Sequence, residues 1–297
     1  MTVIRTSVSG FCMGVRRAVN IAMETASVEN HNVYTLGPLI HNKKVLDELK
    51  AKGIKILDEG EVAAPGATVI IRAHGIAPQI AENLNSMGIK IIDATCPKVK
   101  TSQQKVKEFA EKGYMIFLAG EKDHGEIISL KGFAESFKSS DISCYVIADQ
   151  AEAEKAGEEL INLKPDANAV LLGQTTISKD EFDLIGTKIK EFFPSLEIIN
   201  TICNATIERQ DALRELAGVV DAIIIAGGND SANTRRLLSL AQSLGIPAWL
   251  AESSQDLPVE IKSYNKIGLA AGASAPDSLI NEIEDEIEEA IYSRQGC

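Results

Sequence analysis

Three cysteines carry the clearest chemical signal in the sequence. Cys96 ends the segment IIDATC (91–96), Cys203 ends the similar segment IINTIC (198–203), and Cys12 follows the stretch VIRTSVSGF. A helix-like segment follows each of them. Thiolates are soft ligands, and three of them leave one coordination position of a metal open for chemistry. The set therefore fits either a catalytic zinc ion or a cubane iron–sulfur cluster in which one iron lacks a cysteine ligand.

A second group of polar residues stands at other strand-to-helix junctions and is typical of an anion-binding site. It consists of imidazole, hydroxyl and amide side chains: His41, His74, His124, Thr175, Ser231, Asn233 and Ser274. Helix N-termini present N–H groups to phosphate, and no cluster of lysine or arginine occurs at these junctions. The number of donors fits a diphosphate. Glu126, in the segment HGE, is a candidate proton donor, because a carboxyl group buried near negative charge holds a proton more readily.

An internal repeat is expected to place these groups at equivalent positions. The segment YMIFLAGEKDH (114–124) aligns with VDAIIIAGGNDS (220–231). His124 lies 28 positions after Cys96, and Ser231 lies 28 positions after Cys203, so both pairs share one offset. The N-terminal third fits more loosely, with 29 positions from Cys12 to His41. Two matching segments at one offset indicate a repeated structural unit.

Each third of the chain also contains a short side strand and a closing apolar strand, and a helical pattern follows each closing strand. The side strands are predicted within 53–60, 143–150 and 245–253, and the closing strands within 67–75, 168–176 and 266–274. Apolar strands that alternate with helices predict parallel sheets covered by helices. Ligands of such sheets bind at the carboxyl ends of the strands.

We therefore predict an α/β fold of three similar domains with small, mostly parallel sheets. The domains are expected to be arranged pseudo-threefold around a central cavity that collects the polar junction residues. The predicted boundaries are 1–97, 98–197 and 198–297, and the third domain ends in a helix.

Composition and charge exclude several classes of protein. The 297 residues carry 30 basic and 42 acidic side chains, a net charge of −12, whereas a nucleic-acid-binding face must be basic. No apolar run approaches the roughly 20 residues of a membrane span. The N-terminus lacks the apolar core of a signal peptide. Five widely spread cysteines fit a reducing compartment, so a cytoplasmic protein that binds neither nucleic acid nor membranes is expected.

Nine segments in this order resemble the LytB-type family of 4-hydroxy-3-methylbut-2-enyl diphosphate reductases. They are GFCMGVRRAV (10–19), GPLIHN (37–42), RAHG (72–75), DATCP (93–97), KDHGE (122–126), GQTT (173–176), TICNAT (201–206), NDSANTRRL (229–237) and AGASAPD (271–277). The resemblance covers essentially the whole chain. It implies a reductive dehydroxylation, in which two electrons and two protons remove water and give isopentenyl and dimethylallyl diphosphates, the last step of the methylerythritol phosphate route to isoprenoids.

The resemblance also implies roles for individual residues. Cys12, Cys96 and Cys203 would hold a [4Fe-4S] cluster with one iron open to the substrate. Glu126 would deliver protons, and Thr175 would help to position the hydroxyl group. The diphosphate would be bound by His41, His74, His124, Ser231, Asn233 and Ser274. Electrons would come from an external donor such as ferredoxin or flavodoxin. Ala232 stands where some relatives carry a second serine, so a hydroxyl contact from that position is not expected here.

Two other functions use the same residues. A zinc-dependent phosphate or diphosphate hydrolase could use the three thiolates without any electron donor. A binding module could sense the cluster or an isoprenoid diphosphate without turnover. The remaining residues of these types have simpler interpretations: Cys144 is expected to be a buried structural residue, Cys297 a free thiol at the chain end, and His31 a structural or surface residue.

Overall fold

The computed structural model describes residues 2–295, except residues 30, 31, 59, 60, 62, 140–143 and 166. The described residues form twelve strands: β1 Thr2–Arg5, β2 Val33–Leu36, β3 Lys55–Leu57, β4 Thr68–Ile71, β5 Lys90–Asp93, β6 Met115–Ala119, β7 Cys144–Ile147, β8 Ala169–Gly173, β9 Glu197–Ile199, β10 Ala222–Ala226, β11 Ala248–Ala251 and β12 Lys266–Ala271. They also form ten α-helices: α1 Met13–Val28, α2 Lys43–Ala51, α3 Pro78–Ser86, α4 Pro97–Glu111, α5 Gly125–Phe137, α6 Gln150–Leu163, α7 Lys179–Phe192, α8 Asn204–Ala217, α9 Ala232–Ser243 and α10 Asp277–Gln295. None of the helices in this described part is both long and apolar enough to cross a membrane.

The strands form three four-stranded sheets that share one strand order. The orders are β1-β12-β10-β11, β5-β4-β2-β3 and β9-β8-β6-β7. All strand pairs within them are parallel. The predicted α/β fold with three similar small sheets is therefore confirmed. The predicted side strands are β3, β7 and β11, at one edge of each sheet, and the predicted closing strands are the inner strands β4, β8 and β12.

Burial explains why the inner strands are continuous apolar runs. β6 (MIFLA), β8 (AVLLG) and β10 (AIIIA) are buried at every position. An inner strand of a parallel sheet is covered by helices on both faces, so alternation with polar residues is not needed. The edge strand β5 (KIID) has exposed residues at both ends instead. Each sheet thus has an apolar centre and one polar edge strand that precedes a cysteine.

The chain divides into two compact units. The first contains the residues up to Arg16, Ile40–Ala51 and the residues from Asn204 onward, and it includes the sheet β1-β12-β10-β11. In its core, α10 contributes Leu279, Ile283 and other apolar side chains that pack with residues of β10 and β12. The second unit contains Arg17–Leu39 and Lys52–Cys203, and it includes the other two sheets.

Two strands cross the limits that were expected for the three domains. β1 lies in the first third of the sequence, yet Thr2 pairs with Lys266, so β1 joins the sheet built from the last third. β9 extends across the boundary between residues 197 and 198. An apolar pattern identifies an edge strand but does not say which sheet it joins. The boundaries 1–97, 98–197 and 198–297 and the pseudo-threefold arrangement stay predictions.

Candidate active site

Cys12, Cys96 and Cys203 occupy equivalent positions in their sheets. Each follows an edge strand and immediately precedes a helix: α1, α4 or α8. Each cysteine N–H donates to a carbonyl oxygen two residues beyond the end of the neighbouring strand; the acceptors are Ala273 for Cys12 (3.1 Å), Ala73 for Cys96 (2.9 Å) and Thr175 for Cys203 (2.9 Å). The described cysteines form no disulfide. The N-terminus of a helix stabilises a thiolate beside it.

The loop that carries Cys96 is held by charged groups. Arg17 donates from Nη1 to the carbonyl oxygen of Thr95 over 3.2 Å. Asp93 accepts from the N–H of Thr95 at 2.9 Å, and Lys100 lies 2.5 Å from its other oxygen. Burial opposes ionisation of Asp93, but the hydrogen bonds from Lys100 and Thr95 outweigh it and the pKa of this carboxyl is lowered. These contacts fix the backbone on both sides of Ala94.

Glu126 and Thr175 form a buried carboxylate–hydroxyl pair. Their side chains are 1% and 7% exposed, respectively. The Thr175 hydroxyl donates to Oε2 of Glu126 over 2.6 Å, and the Thr175 N–H donates to Oε1 over 2.8 Å. The sequence placed these two residues 49 positions apart in different segments, and the structure brings them together. A carboxyl group held in this way is suited to exchange a proton with the hydroxyl.

His74 and His124 also lie together. Their rings meet edge to face, with centroids 4.9 Å apart. His124 is the N-cap of α5, and its Nδ1 accepts a hydrogen bond from the N–H of Glu126 at 3.2 Å. This acceptor role assigns the proton of a neutral His124 ring to Nε2. The ring then presents a donor, Nε2–H, and not a second acceptor.

The first unit carries donors of a different type at the start of α9. Ser231 caps this helix, and its hydroxyl accepts from the N–H of Thr234 at 3.4 Å. Asn233 is 4% exposed, and among the described residues its Nδ2 has no hydrogen-bond partner. A buried amide without a partner is costly unless a ligand satisfies it. Ser274 donates to the carbonyl oxygen of His41 at 3.1 Å, which joins two further predicted residues.

A buried series of hydrogen bonds links the segments next to Cys96, His74 and Glu126. Nε2 of Gln103, in α4, donates to the hydroxyl of Ser129, in α5, over 2.8 Å. That hydroxyl donates to the carbonyl oxygen of Ile76 over 3.0 Å, in the turn that follows His74. The sequence alone does not predict this series of hydrogen bonds. A signal was present, because Gln103 stands in the apolar stripe of α4.

Cys144 has none of the features shared by the other three cysteines. It begins the edge strand β7, and burial raises the pKa of its thiol to about 12. A thiol of this kind is inert, which agrees with the structural role expected for it. His31 and Cys297 lie outside the described residues.

The Cys144 thiol is therefore expected to resist alkylation in the folded protein. At pH 8 its thiolate fraction should be on the order of 1000-fold lower than that of an ordinary cysteine, since only the thiolate reacts. Mass spectrometry after iodoacetamide treatment should find Cys144 unmodified in native protein and modified once the protein is unfolded in urea. Modification at equal rates in the two states would contradict the inert role.

Comparison with known proteins identifies the family of this chain. The family model described as LytB protein matches residues 3–288. A 4-hydroxy-3-methylbut-2-enyl diphosphate reductase from Treponema denticola is 41% identical over 294 residues, which cover 97% of this chain and 99% of the relative. The reductase of the same name from Aquifex aeolicus is 38% identical, with 95% of this chain and 94% of the relative covered.

Two solved structures resemble this chain. One is the E-1-hydroxy-2-methyl-but-2-enyl-4-diphosphate reductase from Plasmodium falciparum, with a TM-score of 0.88 and 30% identity, covering 95% of this chain and 86% of the other. The second is described as (E)-4-hydroxy-3-methyl-but-2-enyl diphosphate reductase, the terminal enzyme of the non-mevalonate pathway. It has a TM-score of 0.69 and 37% identity, with 97% of this chain and 100% of the other covered. With a family match over nearly its full length, relatives above 30% identity and the same fold, the chain belongs to the LytB family.

Proposed function

We propose that this protein is a 4-hydroxy-3-methylbut-2-enyl diphosphate reductase. The reaction consumes two electrons and two protons, breaks the carbon–oxygen bond at C4, releases water and leaves isopentenyl or dimethylallyl diphosphate. The observation that carries the proposal is the buried Glu126–Thr175 pair in a chain of this family. Relatives of the same name cover nearly the full length, so the whole activity is proposed.

Cys12, Cys96 and Cys203 are the proposed ligands of a [4Fe-4S] cluster. Their equivalent placement before three helices, with the same backbone hydrogen bond at each, fits a ligand set drawn from three similar sheets. Thiolates are the donors that iron–sulfur clusters use, and the helix N-termini would stabilise the negative charge. When bound, the cluster supplies the redox chemistry and one iron without a cysteine ligand.

The diphosphate is assigned to His41, His74, His124, Ser231, Asn233 and Ser274. Support comes from two local observations. Nδ1 of His124 accepts from the N–H of Glu126 at the start of α5, so a neutral His124 ring carries its proton on Nε2. Nδ2 of Asn233 is buried, and no partner for it exists among the residues that the structure describes. Both groups are N–H donors, which suits an anionic ligand.

Glu126 and Thr175 are proposed to move the proton that converts the departing hydroxyl into water. In the observed arrangement the Thr175 hydroxyl donates to Oε2 of Glu126. Once Glu126 is protonated, the direction of this hydrogen bond reverses, and the Thr175 hydroxyl becomes free to donate to the substrate oxygen. The short 2.6 Å contact allows this exchange without movement of either side chain.

Electrons are proposed to come from an external low-potential carrier such as ferredoxin or flavodoxin. The GGND segment (227–230) does not complete the G-x-G-x-x-G pattern of a dinucleotide site. The proposal places the enzyme in the cytoplasm, where thiolates stay reduced.

The proposal is tested on protein purified without oxygen. Visible absorption with iron and acid-labile sulfide analysis should show a brown protein with about four irons per chain. Reduction by dithionite and a viologen dye should then convert the hydroxylated diphosphate into the two products, which are separated by chromatography. A colourless protein that contains one zinc ion would refute this function and favour the hydrolase. A brown protein that binds the substrate without converting it would favour the binding module.

A further inference from the structure

Arg72 lies between two glycines in the second unit. A Cβ atom placed on Gly37 would lie 2.9 Å from Nη1 of Arg72, and one placed on Gly125 would lie 2.7 Å from Nη2. Gly37 has φ +69°, a conformation that favours glycine in any case. The φ of Gly125 lies outside this region, so the reason for glycine there is the space that the guanidinium occupies. The chain thus leaves room for this cation at the start of α5.

The position of this cation is unusual for a helix. Gly125 is the first residue of α5, directly between His124 and Glu126. The N-terminus of a helix carries partial positive charge, so it stabilises anions and disfavours a cation beside it. The cap of this helix, His124, accepts a hydrogen bond through Nδ1 and therefore acts as a neutral ring here. Arg72 supplies the full positive charge that the neutral ring lacks.

Arg72 is also connected to His74, the other histidine of the pair, through the backbone. Arg72 precedes His74 by two positions, and its carbonyl oxygen accepts from the N–H of Gly75 at 3.0 Å, which closes the turn that carries His74. The rings of His74 and His124 are in contact. The backbone of Arg72 thus belongs to the turn that carries His74, and its guanidinium lies beside the first residue of the helix that His124 caps.

We infer that Arg72 is a positioning residue for the diphosphate: it sets the positive potential at the His74–His124 pair and fixes the start of α5. This inference rests on the proposed function, in which those two imidazoles bind the diphosphate. The donors assigned there are imidazole, hydroxyl and amide groups, none of which has a fixed charge, so a nearby cation accounts for affinity toward a ligand of high negative charge. The guanidinium is fixed in charge at every pH at which the protein is folded.

The experiment measures binding of inorganic diphosphate to the cluster-loaded protein by isothermal titration calorimetry. Arg72→Met keeps an unbranched apolar stem against the two glycines but removes the charge. This variant is expected to raise the dissociation constant for diphosphate about tenfold, which corresponds to a loss of about 1.4 kcal/mol of binding free energy. Arg72→Lys should recover most of the affinity at low salt. Lys131→Met is the matched control, because it removes one charge from an exposed position in the middle of α5 and should change affinity less than about twofold.

Gly125→Ala tests the same idea without loss of the arginine. The added methyl group displaces the guanidinium, so affinity for diphosphate should fall while the charge of the protein is unchanged. Equal affinity of Arg72→Met, Gly125→Ala and the parent protein would overturn the inference. If the parent protein itself fails to bind diphosphate although its cluster is intact, the assigned anion site and the function proposed above fail first. Circular dichroism and the visible spectrum show whether each variant is folded and loaded, and a misfolded Arg72→Met is replaced by Arg72→Gln.

Discussion

Replacing Cys96 with serine is expected to abolish the iron content of the protein and to lower turnover by more than about 100-fold. Loss of a residue that only supports a metal ligand typically costs 10–100-fold in affinity or activity, and loss of a ligand should cost more. Cys12→Ser and Cys203→Ser should behave alike, because the three residues occupy equivalent positions before α1, α4 and α8. Iron, acid-labile sulfide and the visible spectrum of anaerobically purified protein give the readout.

Cys144→Ser is the control for this experiment. The substitution also removes a thiol, but from a position whose sulfur is desolvated and not followed by a helix N-terminus. Iron content and turnover should stay near those of the parent protein. A full complement of iron in Cys96→Ser, or a loss of iron in Cys144→Ser equal to that in the other three variants, would refute the assignment of the ligands.

Most of the fold can be predicted from the sequence, because the strands and helices of each repeat are marked by local sequence patterns. The inner strands are apolar at consecutive positions, and a helix with a marked start follows them, as in β8 and α7, where Ser178 and Glu181 form a capping box. Such signals depend on neighbours in the chain. They identify the side strands and closing strands of all three sheets.

Other features depend on partners far apart in the sequence and could not be predicted in the same way. The pairing of Thr2 with Lys266 joins the two ends of the chain in one sheet. The contact of Arg72 with Gly37 and Gly125 requires three separate segments to be in place. Hydrophobic periodicity carries no information on such contacts. The sequence therefore predicts which residues stand at the strand ends, and the structure adds the contacts between distant segments, such as those of Arg72.

Glu126→Gln is expected to lower turnover by about 100- to 10,000-fold, the usual contribution of a positioned general acid, while the cluster and the fold remain intact. Glutamine has the same shape, so its oxygen can still accept from the N–H of Thr175 at the observed 2.8 Å. Its amide nitrogen can donate to the Thr175 hydroxyl, which then turns to accept. The hydrogen bonds are preserved in number, but the amide cannot hand a proton to the hydroxyl. The readout is viologen-driven turnover together with iron content.

Glu126 either supports the start of α5 or delivers the proton, and separate measurement of kcat and KM distinguishes these two roles. If Glu126 only supports the start of α5, then the isosteric glutamine should keep kcat close to that of the parent protein. If it delivers the proton, kcat should collapse while binding of diphosphate is little changed, because binding depends on imidazole, hydroxyl and amide donors. Asp123→Asn is the matched control, since it removes an exposed carboxylate three positions earlier and should leave kcat within about twofold, as expected for a screened surface charge. Undiminished kcat in Glu126→Gln would remove Glu126 from the chemistry and leave Thr175 without its proton source.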